Sequence, residues 1–189
     1  MCGRYVVDVD EAEIRDIVNE TVKNLGNVKT GEIFPTDRAP VLNNRLKPTV
    51  MEWGFPNFRG KGVIINARAE TVLEKRTFKD SVLSRRCIIP TTGFYEWKKN
   101  RHTKDKYLFT LPQSPILYIA GFYNSFDTGG ARSDKFVILT TAANESMREI
   151  HDRMPVVLTR DSIEAWACDT DFAMEILNKP PPELLRSAV

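Results

Sequence analysis

Residues 116–123 read ILYIAGFY and residues 135–141 read KFVILTT. Both runs are short, rich in β-branched and aromatic residues, and bounded by turn signals, so both predict strands. The same reading extends outward to GVIINAR (62–68), RRCIIP (85–90) and KYLFT (106–110). PTVMEWGFPNFRGKG (48–62) reads as a short strand entering a Gly/Pro-rich loop, and GEIFPTDRAPVLNN (31–44), with two prolines, as irregular. Helical spacing appears in DEAEIRDIVNE (10–20), where Asp10 is the expected N-cap, Glu13 follows three residues on, and Ile14, Ile17 and Val18 form an apolar stripe. It recurs in ETVLEKRTFKDSVLS (70–84), with Val72, Phe78, Val82 and Leu83 as its buried face. NESMREIHDRMPVVL (144–158) reads as a short helix or turn, then Pro155, then an apolar strand. DSIEAWACD (161–169) and DFAMEILN (171–178) predict two late helices with aspartate caps, and KPPPELLRSAV (179–189) a proline-stiffened tail. Strands dominate, with helices interspersed and clustered at the end. That order predicts an α+β fold with a mixed or antiparallel, barrel-like β core flanked by several short helices, not a doubly wound parallel sheet.

The 189 residues predict one domain, 1–189, long enough to bury a substantial core. With 27 Lys and Arg against 25 Asp and Glu, the net charge of +2 permits an anionic partner without demanding one. Three cysteines (Cys2, Cys87, Cys168) are too few and too scattered for a disulfide framework, and no CxxC or HxxxH spacing suggests a metal. No apolar run reaches the ~18–20 residues that span a membrane, and no signal pattern opens the chain. A reducing, cytoplasmic compartment is expected, without cofactor.

Polar residues interrupt the apolar pattern in four places. Asn66 and Arg68 alternate at the end of the strand GVIINAR, on one face. Glu96 lies between Tyr95 and Trp97, where an aromatic setting raises a carboxyl pKa and makes a general acid. His151 stands beside Asp152 and Arg153, and histidine is the side chain most easily tuned for proton transfer near neutrality. Thr140 and Thr141 close a strand. Each also has a plain structural explanation: a loop hydrogen bond, a solvated strand face, a His–Asp pair, a salt bridge, strand filling. His102, in KKNRHTKDK, reads as solvated, and Cys87 and Cys168 as core.

The chain opens MCGRY. Trimming of Met1 would leave Cys2 with a thiol and an α-amine, with reference pKa values near ~8.5 and ~7.7–8.0. Such a 1,2-aminothiol condenses with an aldehyde through an imine and closes a thiazolidine ring.

Taken together, MCGRY, WGF (53–55), NARAET (66–71), RRCIIPTTGFYEWKK (85–99) and TTAANESMREIHDRMPVVL (140–158) resemble the SOS response-associated peptidase (SRAP) family, in the family's order and over most of the chain. Members shield abasic sites in single-stranded DNA by a covalent link. The resemblance implies that Cys2, once N-terminal, attacks the abasic aldehyde, within a pocket of Asn66, Glu96 and His151. It implies Arg4 and Arg68 as phosphate holders, with Arg153 a third. Lys75, Arg76, Arg85 and Arg86 add positive charge; KKNRHTK reads as a solvated hairpin loop before it reads as a further basic edge; and Trp53 with Phe55 and Pro56 would stack on or wedge between bases, unless Trp53 belongs to the core. The partner implied is single-stranded DNA with abasic sites, bound by a monomer that associates with the nucleoid on damage. Two alternatives stand beside it. One is a cysteine hydrolase with Cys2 as nucleophile, His151 as base and Asn66 in an oxyanion hole. The other is a non-catalytic single-strand-binding module.

Overall fold

The computed structural model describes residues 2–58, 60–99, 103–128 and 130–189. Met1 and His102 lie outside them, as does part of the basic stretch 98–104. The strands are β1 (Tyr5–Val7), β2 (Gly31–Ile33), β3 (Arg38–Leu42), β4 (Pro48–Trp53), β5 (Phe55–Pro56), β6 (Val63–Ile64), β7 (Asn66–Arg68) and β8 (Arg86–Thr91). They continue with β9 (Gly93–Lys99), β10 (Lys104–Thr110), β11 (Leu117–Thr128), β12 (Ala131–Ala142), β13 (Arg153–Pro155), β14 (Val157–Leu158) and β15 (Leu185–Ala188). The helices are α1 (Ala12–Leu25), α2 (Lys79–Ser84), α3 (Ile163–Cys168) and α4 (Thr170–Ile176).

Five strands close on themselves. β12 bonds to β4 in parallel, β4 to β3, β3 to β8, β8 to β11 and β11 back to β12. Closure removes the free edges that an open sheet exposes. The runs ILYIAGFY and KFVILTT form the central hairpin of this barrel, with Gly121 opposite Ile138. A Cβ on Gly121 would stand 2.6 Å from Ile89 Cδ1 and 2.8 Å from the Val137 carbonyl, so only glycine lets β8, β11 and β12 approach. A second, five-stranded sheet runs β15-β10-β9-β1-β2, all antiparallel. Tyr5, Phe94 and Phe109 from it join Trp53, Phe136 and Ile88 of the barrel in the core. The architecture is the expected α+β fold with a barrel-like β core and short helices.

Several local expectations are corrected. The segment 31–44 is not irregular but carries β2 and β3. Pro40 is tolerated inside β3 because β3 meets β8 only at Leu42 opposite Ile88, leaving a sparse ladder. GVIINAR splits into β6, paired with β5, and β7, paired with β12. The N-cap of α1 is Glu11, not Asp10, whose own N–H bonds Asp8 Oδ1 at 3.0 Å. Glu13 makes no capping box: its carboxylate takes the Tyr118 hydroxyl and two Arg160 bonds of 2.9 and 2.8 Å. Residues 70–84 break into a 3₁₀ turn over Ala69–Glu74 and the short α2. Asp169, not Asp171, caps α4, accepting from the Phe172 N–H at 3.1 Å, and Ser162 precedes α3. The proline-stiffened tail ends in β15 on β10.

Two arginines expected at the surface are structural. Arg86 is buried and donates to the carbonyls of Val82 (3.1 Å), Leu83 (2.7 Å) and Trp166 (2.6 Å), closing the ends of α2 and α3. Arg85 donates to the Tyr123 carbonyl at 3.3 Å and Ser81 Oγ at 3.1 Å. Cys87 is buried, whereas Cys168 is exposed at the end of α3 rather than in the core.

Candidate active site

Alternation along β9 sends Phe94 and Glu96 inward and leaves Tyr95 and Trp97 on the other face. Antiparallel pairing sets Tyr5 opposite Phe94, and the Tyr95 N–H reaches the Arg4 carbonyl at 2.9 Å. Residues 2–4 are thereby drawn alongside Glu96. Cys2 is wholly buried, and its thiol lies 3.8 Å from the Arg4 carbonyl. From the barrel side, β7 lies parallel to β12 with Asn66 opposite Ile138. Asn66 Nδ2 donates to the Cys2 carbonyl at 2.9 Å, tying the two sheets together at Cys2. Asn66 Oδ1 is buried without a hydrogen-bond partner among the described residues. Glu96 is buried, with the Trp97 N–H 3.4 Å from Oε2.

Burial pushes the Cys2 thiol well above its ordinary value, and the Glu96 carboxylate adds to the push. The resting sulfur is therefore S–H. Tyr5 lies beneath, its ring 5.2 Å from Trp53 and its hydroxyl buried and pushed up by the same desolvation.

Beyond Asn66, the rim of the barrel comes from β7, β12 and β13. Thr140 faces Arg68 on one side and Pro155 on the other, and Ala142 faces Arg153. The Ala143 N–H bonds the Asp152 carbonyl at 2.9 Å and holds His151 at this rim. His151 Nδ1 lies 2.9 Å from the Arg153 N–H and 2.9 Å from Asp152 Oδ1, which demand opposite protonation of one nitrogen. The backbone N–H is a fixed donor, while the Asp152 side chain is 87% exposed and its pull is weakened by water. Nδ1 is accordingly assigned as acceptor, leaving the proton on Nε2.

Of the residues expected on DNA, Arg68 is exposed at this rim. Arg4 lies 4.1 Å from the Phe34 ring centroid and 5.0 Å from that of Trp97, and bonds Glu32 at 3.2 Å. Arg153 is a strut rather than a free phosphate holder. It donates to Glu70 at 2.6 and 2.9 Å and to the Thr140 carbonyl at 2.6 Å, and its bonds hold the Glu70 carboxyl below the usual range. Trp53 cannot stack on bases, because it is wholly buried. Its indole N–H instead donates to the Ile65 carbonyl at 3.0 Å, next to Asn66. Phe55 is likewise buried.

Phe58, by contrast, is 80% exposed. With Pro56, Ile64, Lys75 and Arg76 it lines a cleft of about 420 Å³. The signal for Phe58 in the sequence is an aromatic beside cations in the Gly/Pro loop PNFRGKG (56–62). Among the described residues no cluster of three or more His, Cys, Asp or Glu side chains is arranged to hold a metal.

Residues 1–187 match the family described as SOS response associated peptidase (SRAP). The chain is 34% identical over 200 residues to the abasic site processing protein YoqW of Bacillus subtilis (strain 168), covering 94% of this chain and 86% of that one. It is 30% identical over 196 residues to the abasic site processing protein YedK of Escherichia coli (strain K12), covering 99% and 86%. A crystal structure of a protein from Bacteroides thetaiotaomicron superposes with a TM-score of 0.84 at 23% identity, over 100% of this chain and 92% of that one.

Proposed function

The chain belongs to the SOS response-associated peptidase family, and from that premise we propose that it captures abasic sites in single-stranded DNA by a covalent thiazolidine link through Cys2. The observation that carries the reading is that Asn66 bonds the Cys2 carbonyl beside the buried Glu96, with the buried Asn66 Oδ1 still unfilled among the described residues. Relatives named abasic site processing proteins support the substrate class.

Removal of Met1 makes the Cys2 nitrogen an amine, and Asn66 Oδ1 supplies an acceptor for it while Nδ2 holds the Cys2 carbonyl. The amine adds to the C1′ aldehyde of the ring-opened sugar and forms a carbinolamine. Glu96, whose carboxylate takes a proton from the Cys2 ammonium to free the amine, gives that proton to the departing hydroxyl, releasing water and the protonated imine. Because the thiol rests as S–H, it needs a base, and the carboxylate just regenerated takes that proton as sulfur bonds to the imine carbon and the ring nitrogen becomes neutral. Glu96 then releases the proton to water, and one water is lost from the adduct overall. His151, with its proton on Nε2, exchanges protons with the sugar hydroxyl. Arg68, Lys75, Arg76 and Phe58 receive the flanking phosphates and bases. The same imine acidifies the neighbouring sugar C–H, so weak strand cleavage by β-elimination accompanies capture.

The protein acts without cofactor, as a monomer, in a reducing cytoplasm and on damaged nucleoid DNA. Intact mass of the product with single-stranded DNA carrying one abasic site tests the proposal. The expected adduct is protein lacking Met1 plus DNA minus one water. Trimmed protein that forms no adduct overturns it.

A further inference from the structure

The outer face of the five-stranded sheet carries a second pattern that the pocket does not use. The helices pack on the barrel: α1 against β3 and β4, α2 against β8 and β11, α3 against β8. On the outer face, Trp97 stands opposite Lys106 and Tyr95 opposite Leu108. Arg4 adjoins Tyr95 through their backbone bond, and Glu32 and Phe34 come from β2 and the residues just beyond it. The Tyr95 and Trp97 rings lie 6.5 Å apart. Arg4 lies over Phe34 and Trp97, and Lys106 Nζ is 3.7 Å from the Tyr95 centroid. Glu32 bonds both cations, Arg4 at 3.2 Å and Lys106 at 2.8 Å, and fixes the array. Lys104 is exposed on the same strand, so the face is net positive.

We propose that this face is a stacking platform for the single strand that leads away from the lesion, contacting bases through Tyr95, Trp97 and Phe34 and phosphates through Lys106 and Lys104. The inference deepens the proposed function and rests on it for the lesion end only. Flat rings interleaved with fixed cations on an open sheet are what sequence-tolerant binding of single strands uses. An acidic peptide would engage the cations and leave the ring faces idle. Continuity supports the path: Arg4 is two residues from Cys2, and Trp97 is the neighbour of Glu96, so a strand held at Cys2 crosses residues 2–4 to reach the platform.

Trp97 is a built-in reporter, because Trp53 and Trp166 are wholly buried. The test titrates full-length protein with an intact oligo-dT of about 20 nucleotides, longer than one single-strand site. Indole fluorescence should be quenched, and the quench should be absent in Trp97→Ala. That variant should bind about tenfold more weakly, the loss of one stacked base. Lys106→Gln should reduce the salt slope by about 0.7. Both variants should retain wild-type adduct yield on a short oligonucleotide that holds only the abasic site and its nearest neighbours. Unchanged oligo-dT affinity in both variants, with native circular dichroism, overturns the platform. If Trp97→Ala fails to fold, an unchanged affinity and salt slope in Lys106→Gln does the same. Quenching by poly-glutamate but not by oligo-dT also overturns it, in favour of an acidic protein partner. Failure of the wild type to form an adduct while oligo-dT still quenches Trp97 would strike the proposed function and spare the platform.

Discussion

Cys2 and Cys87 are the same side chain at the same depth, and the thiols of both are pushed up by burial. Cys87 stands in the barrel wall, where a Cβ on Gly121 would meet its sulfur at 3.2 Å, and desolvation alone accounts for its shift. Cys2 has the Glu96 charge, the Arg4 carbonyl and the Asn66 amide around it. Burial makes a thiol inert. Polar groups that can hold an amine and pass a proton are what turn a buried cysteine into a candidate trap, and only Cys2 has them. In the proposed capture, sulfur therefore acts second, after nitrogen has made an imine.

The sharpest way to break that contrast is to exchange the two roles. Cys2→Ala should abolish the adduct on denaturing gels, whereas Cys87→Ala should leave its yield unchanged and cost about 1–2 kcal/mol in urea unfolding. Cys2→Ser should keep an imine that borohydride traps but lose the stable ring. A stable adduct from Cys2→Ala would place the link elsewhere. Next in size, Glu96→Gln should slow single-turnover capture about 10²-fold while affinity for intact DNA stays within a factor of about two. An unchanged rate would remove Glu96 from proton transfer and leave the two cysteines differing only in having a free amine.

The barrel was more legible than the pocket for a physical reason. β8, residues 117–122 of β11 and residues 135–140 of β12 are buried on both faces and mostly apolar, so composition alone marks them. β1, β2 and β15 are three or four residues each and gain their ladders only from partners distant in sequence. Residues 31–44 read as irregular because Pro35 and Pro40 argue against a strand, and the sparse β3–β8 ladder that tolerates Pro40 is a tertiary fact. At the site, Asn66 and Glu96 stood out as polar residues in apolar runs. Trp53 and Arg153 did not reveal their roles, because a buried indole and a ligand-holding indole look alike in sequence. The carboxylate that binds Arg153, Glu70, is likewise invisible until the rim folds.

Asn66 offers a finer cut between the two cysteines: the Cys2 carbonyl takes an amide that also carries an open acceptor, whereas the Cys87 carbonyl takes the Trp166 indole N–H at 3.0 Å, which has no acceptor to offer. Asn66→Ala removes one hydrogen bond of about 1 kcal/mol and should slow capture about fivefold, with Asn66→Asp restoring an acceptor but not the donor. Equal rates for all three proteins would mean that the Cys2 carbonyl needs no holder.

The smallest effect lies at the rim, where Arg153 holds Glu70. The pair's bonds depress the Glu70 pKa in the folded state, so the unfolded chain takes up the proton first as pH falls. Its contribution is full above the unfolded value near ~4.3 and is lost as pH drops through the lower folded value. Wild type should therefore melt above Glu70→Gln at pH 7 and converge with it below that range. Glu70 is 45% exposed, and water screens the pair, so the gap should be only about 1–2 °C and should shrink in high salt. A gap that persists undiminished at pH 3 would show that Glu70 holds the rim by shape rather than charge. His151, whose neighbour Arg153 would still be in place, would then keep its position at acid pH, and the cost of the substitution would fall on packing alone.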